Sequence, residues 1–80
     1  MSNPINRQAV GDAFGLDADH RTADVFKRLV TANLLPAPLD ANYDQFDLAA
    51  VQGKLAGAAS AVAFARKVAT EHRGGAKAVV

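Results

Sequence analysis

The sequence predicts a small, mainly α-helical domain with three main helices, and three observations carry that prediction. Apolar residues recur at i, i+3 and i+4 through the first half, behind residues suited to cap helices. Gly15 and the Pro36/Pro38 pair punctuate the first two helical patterns. From Leu48 to Ala69 the apolar spacing then alternates three and four without a break.

The first helix is expected from about Asn6 to Phe14, with Val10, Ala13 and Phe14 on one face and Asn6 as cap. Gly15 ends it, because glycine readily takes the left-handed conformation after a helix. Leu16–Thr22 is polar and rich in capping residues, and Asp19 or Thr22 suits the start of a second helix. In that helix Val25, Phe26, Leu29, Val30 and Ala32 face inward, and an end is expected near Asn33. Leu34–Leu39 reads as an extended connector, since two prolines remove amide donors. A short β-wing is allowed over residues 34–46. Asp47 caps the last helix, expected from Leu48 to about Glu71 and closed by Gly74-Gly75, with a flexible tail over 74–80.

That last helix carries two apolar stripes. One is a heptad seam that includes Leu55, Ala58, Val62, Ala65 and Ala69, expected to face a second copy or a helical partner protein. The other follows Gly53, Gly57, Ala61, Phe64 and Val68, where small residues allow close helix approach. The expected core is Val10, Phe14, Leu16, Phe26, Leu29, Val30, Leu34, Leu39, Tyr43, Phe46, Leu48, Val51 and Leu55.

Composition narrows the function. The chain has 80 residues and 50% of them are hydrophobic, but 18 of those 40 are alanine, leaving a thin core for an isolated fold. A single domain over residues 1–73 follows. With no cysteine there is no disulfide scaffold or thiolate site. No apolar run follows the first basic residue as in a secretory signal. Lys54 and Arg66 bracket an uncharged stretch of only eleven residues, short of the ~20 that a bilayer needs. The expectation is a cytoplasmic protein without membrane contact.

Nothing in the residue pattern asks for catalysis or a cofactor. The histidines, His20 and His72, and the serines, Ser2 and Ser60, lack the base and orienting group of an activated nucleophile. Asp40-Ala-Asn42-Tyr-Asp44 copies the start of a calcium loop, but Gln45 stands where glycine is required and Val51 where the closing glutamate is. No metal site is expected.

Arrangement points elsewhere. A short helix, a glycine, a turn and a second helix describe a helix-turn-helix over residues 6–33, whose second helix offers His20, Arg21, Lys27, Arg28 and Thr31 to nucleic acid. Gln8–Leu16, together with Asn33-Leu-Leu-Pro-Ala-Pro and Tyr43-Asp-Gln-Phe-Asp-Leu-Ala-Ala-Val51, resembles the small winged helix-turn-helix domains of the MerR-like and phage excisionase type over about residues 6–55. The resemblance implies a DNA-binding regulatory protein acting as a dimer, with a wing after the reading helix and a long dimerising helix. Three features depart from it: a longer turn after Gly15, no typical aromatic and basic residues early in the reading helix, and no basic residue between Leu34 and Asp47.

Charge pulls the other way. Residues 1–50 hold seven acidic and four basic side chains, a net of −3; residues 51–80 hold one acidic and five basic, a net of +4. Phosphate contacts dominate affinity for DNA, so an acidic reading half is a handicap. A non-enzymatic protein–protein interaction module is therefore the competing expectation.

Overall fold

The computed structural model describes the backbone of residues 3–78 and the side chains of residues 3–71. The fold is mainly α. In chain order it comprises β1 (Pro4–Asn6), α1 (Arg7–Phe14), a 3₁₀ turn (Ala18–His20), α2 (Ala23–Thr31), β2 (Gln45–Asp47), α3 (Leu48–Lys54), a second 3₁₀ turn (Leu55–Gly57) and α4 (Ala58–Ala78).

The caps decide the boundaries. Asn6 accepts a hydrogen bond from the Ala9 amide at 2.9 Å and starts α1. Gly15, at φ 76°, ends it; its amide donates to Asp12 and the Leu16 amide to Gly11. Thr22, rather than Asp19, caps α2 by accepting from Val25 at 3.3 Å. The same double closure ends α2 with Asn33 at φ 63°, where the Asn33 amide donates to Val30 and the Leu34 amide to Leu29. Lys54 Nζ holds this turn through the Asn33 carbonyl and side chain. The redirected chain buries Leu35 fully and leaves Leu34 half-buried, reversing the expected choice between them.

Residues 34–46 form no self-paired wing. The one sheet among the described residues joins β2 to β1 in antiparallel register, with Ile5 opposite Phe46 and Asn6 opposite Gln45. Each strand runs directly into a helix. Asp47 secures the junction: its carboxylate accepts the Asn3 amide at 2.8 Å and caps α3 through the Ala50 amide at 3.2 Å. These amides, that of Asn3 foremost, hold the Asp47 carboxyl below its ordinary value.

The helix expected to run unbroken from Leu48 is interrupted by a 3₁₀ turn at Leu55–Gly57. That turn winds about 120° per residue instead of 100°, so three residues advance the helix faces by roughly 60°. The second stripe, exposed at Gly53 and Gly57, is thereby brought inward at Ala61 and Val68 beside the seam. The face buried against the rest of the chain is Val51, Ala61, Ala65 and Val68, drawn from both. α4 also continues to Ala78, past the Gly74-Gly75 stop. The tail anticipated over 74–80 lies beyond the residues whose side chains are described.

Val10 and Phe14 of α1, Phe26 and Leu29 of α2, and Phe46 of β2 form the centre of the core. The Phe26 and Phe46 rings meet at 5.6 Å and 60°, a tilted contact worth about 1 kcal/mol beyond its area. The alanines of α4 close the core, allowing its backbone near α2 and α1. Leu39, expected inside, is 48% exposed.

Candidate nucleic-acid interface

Burying Val25, Phe26 and Leu29 turns the opposite face of α2 outward, and Asp24, Lys27, Arg28 and Thr31 are exposed on it. The Thr31 hydroxyl donates to the Lys27 carbonyl at 2.9 Å, which leaves its oxygen able to accept. Arg28 Nη2 lies 3.6 Å from Glu71 Oε2 of α4, with both side chains more than half exposed. Between α2 and this part of α4 runs a groove of about 600 Å³. Val25 and Val68 contribute to its apolar wall, and Asp19, Asp24, Lys27, Arg28 and Glu71 are its charged members. Three carboxylates thus face two cations.

His20 and Arg21 do not join that surface. His20 is buried at 8% exposure in the 3₁₀ turn, with Nδ1 3.9 Å from Asp17 Oδ2 and no hydrogen-bond partner among the described residues. It packs inward because α4 lies against this turn. Arg21 is committed within the chain. Its Nε and Nη2 donate to the Leu16 carbonyl at 2.9 and 2.6 Å, while Nη1 meets Asp12 Oδ1 at 2.7 Å and the Gln8 carbonyl at 3.3 Å. A planar guanidinium can serve several acceptors at once, and here it fastens the turn to the end of α1.

Gly11 makes room for that clamp. A Cβ there would fall 2.5 Å from Arg21 Cδ and Nε. Glycine inside a helix costs about 1 kcal/mol relative to alanine. Its place in the middle of so short a helix was the available signal for a close approach. Nothing in the sequence marks Arg21 as the side chain involved.

Arg7 and Asp40 are taken up in a similar way. Arg7 Nη1 donates to the Asn42 and Tyr43 carbonyls at 3.4 and 3.5 Å, beside a turn in which Tyr43 stands at φ 58°. Asp40 Oδ1 accepts the amides of Asp44 and Gln45 at 2.9 and 3.0 Å, so the calcium-like segment uses its first carboxylate to close its own turn.

The expected partner seam on the last helix is largely internal. Ala65 is fully buried, and Leu55, Ala58 and Val62 pack partly against the core. Ala69 is half-buried beside the groove. The exposed side of this segment instead carries Ala56, Gly57, Ala59, Ser60 and Ala63, followed by Arg66 and Lys67. By length and composition alone, Leu48–Glu71 meets the requirement for a bilayer-spanning helix. The expectation of no membrane contact rests on the eleven-residue uncharged stretch between Lys54 and Arg66, and the length of this helix does not support it.

No known protein-family model matches the chain, and neither a curated protein nor a solved structure resembles it significantly.

Proposed function

We propose that the protein is a small DNA-binding regulatory protein that contacts double-stranded DNA with α2, through Lys27, Arg28 and Thr31. One observation carries this reading. The shared core holds α2 against α4, and the Arg21 clamp ties the turn before α2 to α1, while the opposite face of α2 presents two cations, a hydroxyl and Asp24 to solvent. A helix so braced can enter a groove without losing its own packing. Arg and Lys suit phosphate or guanine, and Thr31, its proton held by the Lys27 carbonyl, can accept from a base amino group. Fluorescence anisotropy on a random duplex tests it: Lys27→Ala and Arg28→Ala should each weaken binding and flatten the salt dependence by about one unit of slope. Unchanged affinity in both variants contradicts it.

A second reading has its own observation. The exposed small-residue side of α4, from Ala56 to Ala63, suits a protein partner or a second copy. Ser60→Arg should then lower the apparent mass of the protein in solution or abolish capture of that partner. An unaltered monomer before and after the substitution contradicts self-association.

A further inference from the structure

We infer that Glu71 is a built-in competitor for phosphate at Arg28, an inference that rests on α2 being the DNA-contacting helix. The carboxylate is carried by a well-anchored stretch of helix. Val68, one turn earlier on the same face of α4, is buried at 8% exposure, and Ala65 beyond it is fully buried. Helical spacing therefore places residue 71 beside α2. Its Oε2 lies 3.6 Å from Arg28 Nη2 across the groove.

An exposed ion pair at this separation is weak, so a DNA phosphate can displace it. Until then Arg28 meets a carboxylate where it would otherwise meet a phosphate, and Asp19 and Asp24 carry the same sign along the groove. The consequence is a lower affinity for any duplex, since the displacement is met at every sequence alike. It also gives a role to the acidic character of the reading half.

The experiment is a salt titration of random-duplex binding for the wild type, Glu71→Gln, Arg28→Ala and the double variant. Glu71→Gln should tighten binding several-fold at about 50 mM salt by freeing Arg28 from its competitor. In the Arg28→Ala background the same substitution should tighten binding far less. Equal effects in the two backgrounds overturn the inference while leaving DNA binding intact, because Glu71 would then act through net charge alone. No effect in the wild-type background also overturns it. Absence of binding by every variant removes the DNA reading, and this inference with it.

Discussion

Arg21 and Gly11 act as one unit, although ten residues separate them. Two guanidinium nitrogens share the Leu16 carbonyl and a third reaches Asp12, over a helix surface bare of side chain at Gly11. Hydrogen bonds to a charged donor contribute about 1.5–3 kcal/mol where they are partly shielded. We expect Arg21→Ala to destabilise the fold by about 2 kcal/mol in urea denaturation. Arg21→Lys should recover little, because an ammonium cannot reproduce the two-nitrogen contact. Gly11→Ala should destabilise the wild type and stabilise Arg21→Ala, where the colliding side chain is gone and alanine's better helix propensity acts alone. Additive losses would show that the two residues act separately. At this scale the residues read as DNA contacts divide: Lys27, Arg28 and Thr31 lie on the exposed face, whereas His20 and Arg21 face inward. A basic side chain in a turn looks the same in sequence whether it meets phosphate or a nearby carbonyl.

Helix ends were more legible than faces. Asn6, Gly15 and Asp47 cap or stop their helices where local chemistry says they should, and Thr22 was one of two candidates. The strands were not legible, because three-residue pairs 41 positions apart leave no periodicity, and β1 exists only by virtue of β2. Asp47 links these elements and gives them a pH dependence. Its folded-state carboxyl titrates below the ordinary 3.8, so the stability that it contributes is present above that value and lost as pH falls through the folded one. Acid unfolding of the wild type should accordingly steepen below about pH 4, and Asp47→Asn should flatten that part of the curve. An identical acid limb in the variant contradicts this role. For α2, Thr22→Ala should cost about 1 kcal/mol through loss of its cap. The heptad reading misassigned a face: the seam turns inward at Val51 and Ala65, and the roughly 60° phase change at Leu55–Gly57 brings Ala61 and Val68 of the other stripe in beside it.

Over the whole molecule, the large apolar residues from Val10 to Val51 were mostly assigned correctly to the core, since their burial follows from local periodicity. Ala61 and Ala65 were not, because alanine marks neither inside nor outside until a neighbouring helix approaches, and Val68 was missed with the stripe it shares with Ala61. The thin core is thereby completed within one chain by α4, which weakens the argument from composition that a partner must cover that helix. The charge division remains the strongest constraint on function. Half the chain is acidic by three and half is basic by four, and α4 brings Glu71 of the second half against Arg28 of the first. DNA binding through α2 is the central claim, and a salt titration of the unmodified protein on random duplex tests it most directly. The account predicts retardation near 50 mM salt that weakens about tenfold toward 200 mM, as the two cations of one α2 require. No binding at the lower salt contradicts it and leaves α4 as the surface that explains the protein.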